Sequence, residues 1–201
     1  MVSVRKATPA DSPAIAALHR EQIPWGLLSD MGPGFVDAFY RTLLTSTVGF
    51  AFLAEDTDGP VGFASGIVHW GRFYRTFLCR NWTLALGVVV RRLFDLSRWR
   101  RLFETSRYAA SAVLPGSELL SIALRPRVRG TGVADTLVRH VLDEFALRGV
   151  TQVRVTTASS NDAAARVYER TGFRLLGDAE IHPGEVARVY VITLREAGRT
   201  A

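Results

Sequence analysis

Residues 118–132 read ELLSIALRPRVRGTG. Leu120, Ile122 and Leu124 follow one alternation and Leu119 and Ala123 the other, which predicts a strand over 118–124, buried on both faces and stopped by Pro126. Behind the glycine-bearing turn, Val133, Leu137, Val141 and Phe145 recur every four residues, with Ala134, Val138 and Leu142 widening the stripe. This is one face of an amphipathic helix, and Gly149 stands where a C-terminal cap belongs. A buried strand therefore runs through a glycine turn into a helix.

Such a junction suits an anion. The first N–H groups of a helix lack internal acceptors and carry partial positive charge, and Gly130 and Gly132 let a phosphate approach bare backbone. The spacing Arg127-x-x-Gly130-x-Gly132 is not the dinucleotide fingerprint, which needs a third glycine and an acidic residue about 20 positions on. It resembles the Gln/Arg-x-x-Gly-x-Gly/Ala loop that holds the acyl-CoA pyrophosphate in the GCN5-related N-acetyltransferases (GNAT). A second segment, Asn161–Phe173, NDAAARVYERTGF, is similar to that family's N-x-x-A-x-x-x-Y-x-x-x-G-F pattern. The resemblance is clear over 115–194 and looser before it.

At 201 residues and 48% hydrophobic, the chain is expected to form a single domain over 1–201 with one core. No basic segment followed by an apolar run opens the sequence, and the longest apolar run, Trp82–Val90, is too short to span a bilayer. A cytoplasmic location is the default expectation. The single cysteine, Cys79, excludes an intrachain disulfide and a multi-cysteine metal site, and no metal is expected. The net charge of +6 is local: residues 71–108 hold nine arginines against Asp95 and Glu104, a balance of +7, which leaves −1 for the rest. No base-stacking or groove-reading motif accompanies it, so nucleic acid is not expected as a partner.

Val2–Ala7 alternates as a short strand, and Thr8-Pro9-Ala10-Asp11 carries the signals that start a helix from Ser12 to about Gln22. Pro24-Trp25-Gly26 and Gly32-Pro33-Gly34 interrupt before a helix over Phe35–Leu44. Phe50–Ala54 and Val61–Trp70 read as strands of a hairpin around Asp56-Thr57-Asp58-Gly59. Residues 71–113 are read as an arginine-rich helical insertion between the third and fourth strands, with one or two amphipathic helices. Three uses compete for it: a flap with solvated arginines, a lid or homodimer surface, and attachment to an anionic membrane surface or acidic glycan. Strands over Val150–Thr157, Phe173–Gly177 and Val186–Leu194, and a helix from Asn161, complete the pattern.

The resemblance implies an α/β fold, a mixed sheet of six or seven strands flanked by helices, and acetyl-CoA as acyl donor. It implies that the fourth strand and the strand at 150–157 run parallel and splay apart, with the pantetheine arm pairing with the backbone of Ile122, Ala123 and Leu124 as in strand addition. The pyrophosphate would lie on the N–H groups from Val128 through Arg129, Gly130, Thr131 and Gly132 to Val133, flanked by Arg127 and Arg129. Asn161 and Ala164 match positions beside the cofactor, although Asn161 also suits a helix N-cap and Ala164 shares a helix face with Tyr168. Tyr168 matches the position whose hydroxyl lies near the thioester sulfur, and is the candidate general acid. Glu118 is the first candidate for the base, with His69 and Glu21 behind it. Trp25, Leu28 and Met31 in the first helical break, with His69 at a strand end, are candidates for substrate contact. Cys79 has no Cys-His-Asp context, so direct attack in a ternary complex is favoured over an acyl-enzyme.

The activity implied is acetyl transfer to a primary amine of a small molecule, with an amino sugar or nucleotide-linked sugar suggested by the arginines. Two alternatives stand beside it: a protein N-terminal or lysine acetyltransferase, and a non-catalytic acyl-CoA-binding regulatory or membrane-associated module.

Overall fold

The computed structural model describes residues 2–24, 26–84, 114–182 and 185–194. Seven strands form one sheet: β1 (Ser3–Lys6), β2 (Gly49–Asp56), β3 (Gly59–Ile67), β4 (Glu118–Leu124), β5 (Gln152–Ala158), β6 (Arg174–His182) and β7 (Glu185–Thr193), in the order β1-β2-β3-β4-β5-β7-β6. Among the described strands only β4 and β5 are parallel, and every other neighbouring pair is antiparallel. The expected mixed sheet is present, with the larger of the two strand numbers.

Helices α1 (Ser12–Gln22), α2 (Leu27–Asp30), α3 (Pro33–Thr45) and α4 (Trp70–Arg80) precede β4, whereas α5 (Val133–Leu147) and α6 (Asp162–Arg170) follow it. A capping box on the single 3-10 turn Pro9–Asp11 leads into the first of these: the Asp11 carboxylate accepts from the Thr8 N–H at 2.7 Å and from its hydroxyl at 2.9 Å. The strand expected to run to Trp70 stops at Ile67, and Trp70 opens α4. Thus α4 begins the segment read as a helical insertion, while residues 85–113 lie outside the described residues. Among the described residues, no helix is long and apolar enough to cross a membrane.

Two apolar clusters sandwich the sheet. Leu137, Val138, Val141, Leu142 and Phe145 of α5 pack with Phe50, Ala64, Val153 and Val155 on one side. Ile15, Leu18, Val36, Phe39, Tyr40 and Leu43 of α1 and α3, with Phe73 and Phe77 of α4, pack with Leu53 and Phe63 on the other. Gly66 makes the first fit possible: a Cβ there would stand 2.7 Å from Phe50 Cζ and 2.8 Å from Phe145 Cζ. At the far end of α5, Gly149 adopts φ +74° and its N–H bonds the Ala146 carbonyl, the glycine stop expected from the sequence.

The second cluster contains a buried polar pair. His19 is 3% exposed, and its Nδ1 shares a 2.8 Å hydrogen bond with the Tyr40 hydroxyl, while its Nε2 has no partner among the described residues. Burial, then the Arg20 charge, lower the His19 pKa to about 4. A histidine held neutral in the fold but protonated at about 6.5 in the unfolded chain binds fewer protons when native, so stability rises with pH through this interval. This contribution is complete above about 6.5 and is lost as pH falls toward 4. Urea unfolding of wild type and His19→Gln at pH 7.5 and 4.5 should show wild type losing about 2–3 kcal/mol more than the variant. Equal losses would place the titration elsewhere.

Candidate active site

The site grows from one change in strand pairing. β4 is bonded to β3 from Glu118 to Leu124, but to β5 at a single register, Glu118 opposite Arg154, where the Arg154 N–H donates to the Ser117 carbonyl at 3.1 Å. Beyond that apex the two strands separate, and β5 is bonded along its other edge to β7 over Gln152–Ala158. The stretch Leu119–Leu124 therefore presents one edge with no strand across it among the described residues, which is the splay implied by the resemblance. An unpaired edge held in extended conformation is a template for another amide-bearing chain.

Within β4 the facing of side chains departs from simple alternation. The register slips between Ser65 opposite Ser121 and Gly66 opposite Leu119, so Leu120 is an extra residue. In consequence Leu119, Ile122 and Leu124 join the cluster under α5, and Leu120 joins Ala123 in the other. The expected grouping of Leu120 with Ile122 and Leu124 is corrected by this bulge, which shifts the facing by one residue.

The open edge leads to the glycine turn. Pro126–Val128 form one 3-10 turn, after which Gly130 at φ +78° and Gly132 at φ +87° reverse the backbone into α5. Among the described residues, none accepts a hydrogen bond from the N–H groups of Gly130, Thr131, Gly132, Val133 or Ala134. A Cβ added at Gly130 or Gly132 meets nothing within 4 Å, so the backbone there faces open space. Donors at a helix N-terminus with clear approach fit a pyrophosphate. Placing a side chain at φ +87° costs about 1 kcal/mol, and its Cβ would occupy that approach. We expect Gly132→Ala to raise KM for acetyl-CoA about tenfold with kcat nearly unchanged, as measured in steady-state assays; unchanged KM would remove this turn from the donor site.

The flanking arginines are occupied. Both carboxylate oxygens of Asp56 accept from Arg127 Nη2, at 2.9 and 2.8 Å, which ties the turn to the β2–β3 hairpin. Arg129 bridges the Leu124 carbonyl at 3.1 Å and Gln22 of α1 at 2.8 Å. Both guanidinium groups hold the shape of the turn, a role that its six-residue spacing does not reveal.

At the apex, Glu118 Oε2 accepts from Arg154 Nε at 3.0 Å, from Arg154 Nη2 at 2.8 Å, and from the Trp70 indole N–H. Oε1 has no hydrogen-bond partner among the described residues. Neither Trp70 nor Arg154 stood out in the sequence, where Arg154 alternates with the buried Val153 and Val155 and takes the more exposed face of the strand.

Tyr168 belongs to α6 and is 3% exposed, with its ring 5.7 Å from Phe173 and 5.8 Å from Tyr190 between centroids. Burial first, then the Glu118 and Tyr190 charges, hold its hydroxyl well above the ordinary phenol range, so it carries its proton at neutral pH. Its hydroxyl makes no hydrogen bond to a described residue. Asn161 caps the same helix, its Oδ1 accepting from the Ala164 N–H at 3.1 Å, which is the structural role foreseen for it. Arg170 at the end of α6 pairs with Asp135 in the first turn of α5 at 2.9 Å and holds that carboxyl below its usual range. The turn and the tyrosine are thereby fixed to each other.

The remaining candidates lie farther apart. His69 is exposed and lines an open cleft of about 290 Å³ with Val68, Ser117, Thr151 and Gln152 at the start of β4, the end away from the glycine turn. Leu28 is half-buried against the α1–α3 cluster, Met31 is half-buried, and Trp25 lies outside the described residues. Glu21 pairs with Arg125 at 3.4 Å, and Cys79 is exposed on α4.

A strand edge opened beside a helix N-terminus and a buried tyrosine is the arrangement that the GNAT resemblance implies. The sequence model of the Acetyltransferase (GNAT) family matches residues 105–173. The bS18-alanine N-acetyltransferase of Escherichia coli K12 is 34% identical over 77 residues, and that of Salmonella typhimurium 35%. These matches cover 36% of this chain and 52% of the relatives, so the chain spans about half the length of the curated relatives it matches. Among solved structures, that of the E. coli ribosomal-protein alanine N-acetyltransferase aligns with TM-score 0.60 at 16% identity, covering 100% of this chain and 99% of that one. Arabidopsis thaliana NAA60 with a bisubstrate analogue gives 0.62 at 16%, covering 98% and 100%. A GCN5-related N-acetyltransferase from Kribbella flavida gives 0.61 at 18%, covering 96% and 98%. The GNAT resemblance read from the two motifs is borne out by both the family match and the fold.

Proposed function

We propose that the chain is an acetyl-CoA-dependent N-acetyltransferase acting on a primary amine. The observation that carries this reading is the open β4 edge running into the unpartnered N–H groups of Gly130–Ala134, with a protonated Tyr168 near the apex. The edge of Ile122–Leu124 holds the amide-bearing arm, and the turn holds the pyrophosphate. The amine lone pair attacks the thioester carbonyl carbon, the C–S bond breaks, and the Tyr168 hydroxyl gives its proton to the departing thiolate. Oε1 of Glu118 is the oxygen available to receive the amine proton, because Oε2 is held by Arg154 and Trp70. No covalent enzyme intermediate is needed.

Two acceptor classes are supported by different observations. The arginine-rich segment beginning at α4 favours a small anionic amine, such as an amino sugar or its nucleotide-linked form. The likeness to the ribosomal-protein alanine N-acetyltransferase favours the N-terminal amine of a protein. Thiol release from acetyl-CoA, followed with amino sugars, their nucleotide-linked forms, polyamines and Ala-starting peptides, tests both. Turnover with one class identifies the acceptor. Acetyl-CoA binding with no turnover on any amine would replace the enzyme with an acyl-CoA-binding module.

A further inference from the structure

We propose that the outward face of α4 docks on an anionic bilayer surface. The helix gives Phe73 and Phe77, 1% and 3% exposed, to the core. On its outer side Arg72, Tyr74, Arg75 and Leu78 are all exposed, and Trp82 and Leu84 just beyond the helix are exposed as well. Tyr74 and Leu78 stand four residues apart on one side of α4, and Tyr74 and Trp82, the latter past the helix end at Arg80, show 56% and 64% of their surface to solvent. Residues 71–84 contain Arg72, Arg75 and Arg80 and no Asp or Glu.

The charge selects the partner. In the sequence, residues 71–108 carry +7 and the remainder −1, so the excess positive charge belongs to the segment that opens with α4. A soluble polyanion would engage the guanidinium groups but offers nothing to Leu78 or Trp82. A bilayer with anionic headgroups engages both, with indole and phenol rings at the headgroup level and arginines against the lipid charge. Docking by this face is independent of acetyl transfer.

Cosedimentation of the full chain with phosphatidylcholine vesicles, with and without phosphatidylglycerol, tests it. Binding is expected only with phosphatidylglycerol and should weaken as salt is raised. Arg72→Gln/Arg75→Gln should bind about 30-fold more weakly. Leu78→Ser/Trp82→Ser should bind vesicles at least about tenfold more weakly yet bind heparin as wild type does. All four side chains are exposed, so both variants should unfold thermally as wild type does. Tyr168→Phe should sediment as wild type, which separates docking from catalysis. Absence of sedimentation at low salt would overturn the proposal, as would vesicle binding that neither double variant weakens. So would a dimer, seen by light scattering and abolished by Leu78→Ser/Trp82→Ser, in a chain that ignores vesicles.

Discussion

Tyr168→Phe is expected to lower kcat for acetyl transfer about 100-fold or more while leaving acetyl-CoA affinity within about twofold. The substitution removes one oxygen and keeps the ring, which is packed against Phe173 and Tyr190. The hydroxyl makes no hydrogen bond to a described residue, so its loss breaks no link in the fold. A purely structural tyrosine would therefore tolerate phenylalanine with full activity. A loss confined to kcat, measured beside calorimetric binding of CoA, supports the proton-donor role; full activity would end it. Because burial and the Glu118 charge both raise this hydroxyl's pKa, the wild-type rate should also show no loss from its ionisation between pH 7 and 9.

The largest effect on stability is expected from Phe145→Ala, a loss of about 3–5 kcal/mol and roughly 10 °C in Tm. Phe145 is fully buried, its ring 4.9 Å from Phe50 and edge-on to it, and it fills the space that Gly66 leaves on β3. Little around it can collapse, because β2 and β3 are bonded over their whole length. Leu147→Ala, two residues on and 78% exposed, should cost under about 0.5 kcal/mol. Urea unfolding of the two variants compares one helix's buried and solvent sides. A cost below about 1 kcal/mol at Phe145 would mean that α5 is not seated on the sheet as described.

Much of the fold was readable because its signals are local. Helix α1 has the expected bounds, Ser12–Gln22, since Thr8 and Asp11 make a capping box on the 3-10 turn that leads into it. The hairpin at Asp56–Gly59 and the glycine reversal at Gly130 and Gly132 are likewise consequences of single residues with restricted or unusually free backbones. By contrast, the extra residue at Leu120 leaves no trace in an apolar run, where every position suits a buried strand on either face. Short α2, Leu27–Asp30, lies where glycine and proline signals predicted only a break.

The site divides along the same line. Glycine positions, the N-capping Asn161 and the tyrosine spaced seven residues after it belong to two short motifs, so the sequence alone determined the donor class that the chain resembles and the residues offered to it. Only the tertiary structure decided that Arg127 is held by Asp56, 71 positions away, that Glu118 is engaged by Trp70 and Arg154, and that the β4 edge is left open beyond one residue pair. Those outcomes depend on which strands lie side by side and where they part. Such pairings bring distant residues together through the packing of both sheet faces, and no window of the sequence contains both partners.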